Sequence, residues 1–126
     1  MILVAEIIQT PEFGFWFAKS KELDASARED IYAVLRVLKQ TGPKLGRPYV
    51  DSVQGSRHSN LKELRIQSKG RPIRIFFIFD KKRRAVLLVG GNKARNKRFY
   101  DQMIPLADQI FDDFQECQEE ISGENR

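Results

Sequence analysis

Residues 61–80 read Leu61-Lys62-Glu63-Leu64-Arg65-Ile66-Gln67-Ser68-Lys69-Gly70-Arg71-Pro72-Ile73-Arg74-Ile75-Phe76-Phe77-Ile78-Phe79-Asp80. The stretch has the form of two strands joined by a tight turn at Lys69-Gly70, where glycine supplies the positive φ that hairpin turns need. From Ile73 to Phe79 every residue but Arg74 is apolar. Such a run is expected of a central strand covered on both faces, so Arg74 is a charge where an apolar residue belongs. With an even-numbered loop, Ile66 stands opposite Ile73 and Arg65 opposite Arg74. Cross-strand neighbours on one face lie ~5 Å apart, and like charges there repel. The pair needs an anion. Glu63, two residues before Arg65 and therefore on its face, is one candidate, and a phosphate from outside the protein is the other.

Around this hairpin the 126-residue chain is long enough for one domain whose core needs no disulfide. Its single cysteine, Cys117, rules out an internal disulfide and fits a reducing cytoplasm. One cysteine and one histidine, His58, offer no metal site, and no cofactor motif is present. The start, Met1-Ile2-Leu3-Val4-Ala5-Glu6, lacks the basic n-region of a signal peptide. No apolar run approaches the ~20 residues needed to span a bilayer. These features together predict a cytoplasmic protein.

Charge is segregated along the chain. Residues 1–100 hold 21 basic and 9 acidic residues, a net of +12, and residues 101–126 hold 1 and 8, a net of −7. Between Lys44 and Arg98, 16 basic residues meet only Asp51, Glu63 and Asp80. A region this positive points to nucleic acid or an acidic protein partner.

Residues 2–9 are rich in β-branched side chains and predict a first strand. Thr10-Pro11-Glu12 opens a helix, with threonine as N-cap and proline at N1, whose Phe13, Trp16 and Phe17 share one core-facing side. A second helix follows its N-cap Asp24 to about Gln40, with a stripe of Ile31, Val34, Leu35 and Leu38 and a stop at Gly42-Pro43. Residues 43–60 form a long Gly/Pro/Ser-bearing connection. After the hairpin come a turn at Lys81–Arg84, a strand over Ala85–Val89 ended by Gly90-Gly91-Asn92, and a helix over roughly Lys97–Gln118. Met103, Ala107, Ile110 and Phe114 line that helix, and Pro105 is expected to kink or restart it. The predicted fold class is α+β: an antiparallel twisted sheet, made of the N-terminal strand and a three-stranded meander, packed by a helical hairpin and a C-terminal helix. Residues 1–118 make the single domain, and the acidic tail 119–126 is expected to be disordered.

The residues also resemble a known family. Gly42-Pro43-Lys44-Leu45-Gly46-Arg47-Pro48, Leu61-Lys62-Glu63-Leu64-Arg65, Arg74-Ile75-Phe76-Phe77, Leu87-Leu88-Val89-Gly90-Gly91-Asn92-Lys93 and Ile104-Pro105-Leu106-Ala107-Asp108 occur in the order of the RelE/ParE toxin superfamily, in its phage-associated, HigB-like branch. This resemblance implies a RelE-like, microbial ribonuclease-like fold and a toxin of a type II toxin–antitoxin pair. It implies mRNA cleavage on the ribosome without a metal, and an antitoxin partner carrying a helix-turn-helix domain. In such chemistry the RNA 2′-hydroxyl attacks the adjacent phosphate and leaves a 2′,3′-cyclic phosphate. Arg65 and Arg74 match the family's strand arginines and would clamp the phosphate, for which the guanidinium fork is suited. Lys93, Lys97 and Tyr100 follow the last strand and are the proton-transfer candidates. Arg57, Lys62, Arg71, Arg95 and Arg98 would bind neighbouring RNA phosphates. Some relatives carry a histidine where this chain has Gly90-Gly91-Asn92, so no general base stands out. Two other readings share the fold: a ParE-like inhibitor of DNA gyrase acting by protein contact, and an inactive RNA-binding prophage relative in which Glu63 neutralises the arginines structurally.

Overall fold

A computed structural model describes residues 5–124, with side chains described to Ile121. Nine elements alternate in the order β1 (Ile7–Gln9), α1 (Pro11–Lys19), α2 (Ala25–Thr41), a single 3-10 turn (Gly42–Lys44), β2 (Val50–Ser52), β3 (Lys62–Ser68), β4 (Arg71–Phe79), β5 (Ala85–Asn92) and α3 (Phe99–Glu124). The expected α+β layers are present. Residues 2–4 of the anticipated first strand lie outside the described residues.

The five strands form one sheet in the order β1-β5-β4-β3-β2. Its meander is antiparallel, but β1 runs parallel to β5, so the sheet is mixed. The hairpin register is the anticipated one, with Arg65 opposite Arg74 and Ile66 opposite Ile73. Lys69 and Gly70 both take positive φ, at 52° and 78°, which matches the right-handed twist of the two strands. Three local readings change. The 43–60 connection contains β2, which pairs antiparallel with β3 and sets Asp51 opposite Glu63. Strand β5 continues through Gly90 and Gly91 because Ile75 and Arg74 pair with them. Helix α3 passes Pro105 without interruption and continues beyond Gln118 into the acidic segment.

Alternation along β4 explains its near-continuous hydrophobicity. Ile73, Ile75 and Phe77 face α1 and α2, where they pack with Phe13, Ile31, Leu35 and Leu38. Phe76 and Ile78 face α3, where they meet Phe99, Ala107, Ile110 and Phe111. Burying side chains of this size stabilises by roughly 2 kcal/mol each, on both faces of one strand. The helices start as their caps dictate. Thr10 Oγ1 accepts from the Phe13 N–H at 3.2 Å, and Asp24 Oδ1 accepts from the Ala27 N–H at 2.8 Å.

A β-bulge between Phe76 and Phe77 shifts the β4–β5 register and brings Gly91 opposite Arg74. Both glycines of β5 mark close approaches. A Cβ on Gly90 would stand within 3 Å of the Trp16 indole carbons, and one on Gly91 would press on the Phe99 ring. Gly90→Ala is expected to lower unfolding free energy by about 2 kcal/mol in a urea titration, because the tightly held indole must move.

Asp24 also receives both terminal nitrogens of Arg71, at 3.1 and 3.2 Å. The Arg71 guanidinium and the helix N–H hold its carboxyl at about 2, below the usual 3.8. A depressed carboxylate contributes stability that is present above pH ~4 and lost as pH falls towards 2. Thermal melts of Asp24→Asn should therefore lie below wild type at pH 6 and converge with it near pH 2.

Candidate active site

Four cations gather on the α3 face of β3 and β4, at the end where α3 begins. Strand alternation sends Glu63 and Arg65 from β3 and Arg74 from β4 to this face, and β2 adds Asp51 beside Glu63. Arg74 is 4% exposed, as is Glu63. Glu63 Oε1 accepts a 2.7 Å hydrogen bond from the Tyr100 hydroxyl on the first turn of α3. Its approaches to the arginines are longer: Arg65 Nη1 to Oε2 is 3.7 Å and Arg74 Nε to Oε1 is 3.9 Å. These are charge contacts and not hydrogen bonds. Arg74 Nη1 donates to the Ile73 carbonyl at 3.1 Å, and Arg74 Nε is buried with no hydrogen-bond partner among the described residues. Glu63 therefore offsets the arginine charges without satisfying them.

Asp51 ties the outer part of the cluster. Its Oδ2 lies 2.7 Å from Arg47 Nη2 and 3.5 Å from Arg65 Nη1. The hydrogen bond from Arg47 leads in holding its carboxyl below the usual range. On the inner side, Lys93 Nζ sits 5.5 Å from the centre of the Tyr100 ring. Burial first, and then the hydrogen bond to Glu63, raise the Tyr100 phenol above its ordinary value. It therefore remains protonated at neutral pH and is a donor to the carboxylate. Among the described residues Arg47, Arg65 and Arg74 meet the carboxylates of Asp51 and Glu63, and with Lys93 beside Tyr100 the cluster holds four cations to two acids.

The ten residues singled out in the sequence divide into three sets. Arg65, Arg74, Lys93 and Tyr100 come together. Arg95, Lys97 and Arg98 lie exposed on the segment between Lys93 and the start of α3. The remaining three are placed elsewhere. Lys62 is out of phase with Glu63 and Arg65, so it belongs to the opposite sheet face. Arg71 is engaged with Asp24 at the hairpin turn. Arg57 is paired with Asp112, about 18 Å along the α3 axis from Tyr100. Asp112 also meets His58 Nε2 at 2.8 Å, and Asp108 receives Ser56 Oγ and the Arg57 N–H. His58 is thus part of a clasp holding the 53–60 loop to α3. Asp51 and Arg47 were missed because they sit in what reads as a loop. The alternation Tyr49-Val50-Asp51 was the available signal for a strand there.

The family description "Phage derived protein Gp49-like (DUF891)" matches residues 19–112. The chain belongs to this Gp49-like family. Two Mycobacterium tuberculosis proteins are similar to it. One, named "Putative toxin HigB2", is 50% identical over 91 residues, covering 71% of this chain and 45% of its own. The other, named "Putative toxin HigB3", is 45% identical over 104 residues, covering 82% and 87%. The chain spans less than half the length of the first relative and most of the second. It is HigB-like. No solved structure matches it. The Gp49-like region starts at the end of α1 and contains β2 to β5, with every residue of the cationic cluster.

In this Gp49-like chain the Glu63 carboxylate holds Tyr100 and offsets two arginines, one of them buried. Removing one partner of a buried ionic group strands the others. Glu63→Ala is expected to lower unfolding free energy by about 3 kcal/mol in urea titration, and Glu63→Gln, which can still accept from Tyr100, by visibly less.

Proposed function

We propose that the chain is the toxin of a type II toxin–antitoxin pair and acts as an endoribonuclease on mRNA engaged by the ribosome. The observation that carries this reading is Arg74, a buried guanidinium paired across the sheet with Arg65 and left with an unpartnered Nε. A buried donor without a partner costs about 1–3 kcal/mol, and an RNA phosphate would satisfy it. The HigB-like relatives support the toxin class. A toxin of this class implies an antitoxin partner, and the resemblance to the RelE/ParE superfamily makes a helix-turn-helix protein the expected one. No helix among the described residues is long and apolar enough to cross a membrane, and action on ribosomes would place the protein in the cytoplasm.

The neighbouring groups are of the kinds that phosphoryl transfer from the 5′ oxygen to a 2′-hydroxyl requires. Arg65 and Arg74 hold the phosphate and the negative charge that grows on its oxygens as the 2′ oxygen attacks. Tyr100 reaches the surface where Glu63 does not, so it takes the 2′ proton while passing its own to Glu63 through the 2.7 Å bond. The P–O5′ bond breaks, and the Lys93 ammonium gives the leaving oxygen its proton. The products are a 2′,3′-cyclic phosphate and a free 5′-hydroxyl. This assignment gives Glu63 the role of proton acceptor that no histidine fills, and leaves Lys97 with Arg95 and Arg98 to bind flanking phosphates.

Removing a charge-stabilising donor from such a site costs roughly 100-fold or more in rate. Arg65→Ala and Arg74→Ala, each shown by circular dichroism to be folded, should lose growth inhibition and the new mRNA 5′ ends seen with wild type. A folded Arg74→Ala protein that still generates those ends counts decisively against the clamp.

A further inference from the structure

Beside the arginine clamp, a cleft of about 620 Å³ opens along the edge of β3, between α2 and the segment leading into β2. Arg65 and Arg74 both line it, together with Tyr49, Gln67 and Val34. We propose that this cleft is a nucleobase subsite. The Tyr49 ring would stack on the base next to the clamped phosphate, and the uncovered edge of β3 at Gln67 would read that base's polar edge. The inference rests on the ribonuclease reading and extends it to substrate selection.

The edge is open because β2 is short. Its last pair upstream is Val50 with Leu64, and beyond that the Arg65 N–H donates to the Tyr49 carbonyl at 2.8 Å. This bond sets Tyr49 opposite Arg65 and so extends the cross-sheet row Arg65, Arg74, Gly91 outward by one residue. With strands ~4.8 Å apart, the Tyr49 backbone stands about 10 Å from that of Arg74, the scale of one nucleotide. Gln67, two residues beyond Arg65, turns its peptide N–H and C=O the same way, into the cleft. Opposite it, the Pro72 carbonyl is already turned away to accept from the Lys93 N–H.

The lining suits a base in both of its needs. Tyr49 is 38% exposed, and it shares the cleft with three arginines, Arg47, Arg65 and Arg74, against one carboxylate, Asp30 of α2, while Val34 and Ile66 add apolar lining. Stacking on an aromatic ring tolerates any base, and the adjoining peptide groups and the Gln67 amide supply the hydrogen bonds that choose among them. Arg47 is held beside Tyr49 by Asp51 and keeps the rim positive. An extended peptide could in principle add to a strand edge of this kind. Two cleft walls are the clamp arginines themselves, however, so the occupant that fits is continuous with the clamped phosphate.

The test is 5′-end mapping of mRNA in a translating extract containing the wild-type protein, Tyr49→Ala, Tyr49→Leu or Tyr49→Phe. Because Tyr49 bonds to Arg65 through its backbone carbonyl, all three variants keep that anchor, and thermal melts confirm their fold. Tyr49→Ala and Tyr49→Leu should cut about tenfold more slowly at the preferred sites and spread their cuts over other sequences, while Tyr49→Phe retains the wild-type pattern. If wild type cuts and Tyr49→Ala and Tyr49→Leu cut at the same sites and rates, the subsite is refuted and the clamp stands. The same refutation follows if these variants lose only binding to the antitoxin. If wild type yields no new ends, the ribonuclease reading falls and the subsite with it.

Discussion

Two arginines facing each other across adjacent strands are the constraint around which this protein is arranged. Like charges directly opposite one another on one sheet face repel, and a carboxylate close to both offsets that repulsion at the cost of taking the charges out of water. Glu63 holds that position, at 3.7 and 3.9 Å. Without it the register of the central hairpin would leave the buried Arg74 uncompensated against an apolar layer, with Asp51 reaching only Arg65, at 3.5 Å. The charge balance of the hairpin and the placing of Tyr100 therefore meet at this one acidic residue.

Other features of the fold serve the same spot. The bulge in β5 brings Gly91, and not a side chain, opposite Arg74. That absence lets the Phe99 ring close over the strand, where a Cβ would collide with it. Phe99 begins α3, and the next residue is Tyr100, whose hydroxyl then reaches Glu63. Further along, α3 is fixed by Asp108 and Asp112 gripping the 53–60 loop. Its start is thus held at one end by aromatic packing and at the other by the clasp. Tyr100 is placed by rigid elements on both sides of a flexible-looking sequence.

Much of this was legible before any coordinates, for reasons that are local. The Lys69-Gly70 turn, the period of β3 and β4 and the caps at Thr10 and Asp24 are short-range signals, and each places neighbouring residues directly. The Arg65–Arg74 pairing followed from turn length alone. Less was readable where partners are distant in sequence. Strand β2 has three residues and pairs with the edge of β3, so the Tyr49-Val50-Asp51 alternation was too short a signal to stand out from the loop around it. The Gly90-Gly91 pair looks like a strand terminator, yet pairing with Ile75 and Arg74 overrides that preference. Arg57 and Arg71 read as free cations, because the aspartates that hold them lie 55 and 47 residues away. Basic composition announces an anion-binding face, but only topology decides which cations share it.

The unpartnered Nε of Arg74 shows how stability and function are set against each other here. An apolar pair at positions 65 and 74, with an apolar residue at 63, would fill the same layer without desolvated charge, and such replacements are often neutral or stabilising. Retaining three ionised groups there is costly for folding alone. The cost makes sense if the group serves binding, as proposed: Glu63 offsets the charge, Tyr100 bonds to the carboxylate, and the Arg74 Nε donor suits an anion from outside the chain. A phosphate docking between Arg65 and Arg74 would supply that bond. It would also share with Glu63 the task of offsetting Arg74, leaving the carboxylate to accept a proton through Tyr100 in the proposed reaction. On this view the same residue that permits the hairpin to fold becomes chemically active only once the substrate shares its electrostatic role.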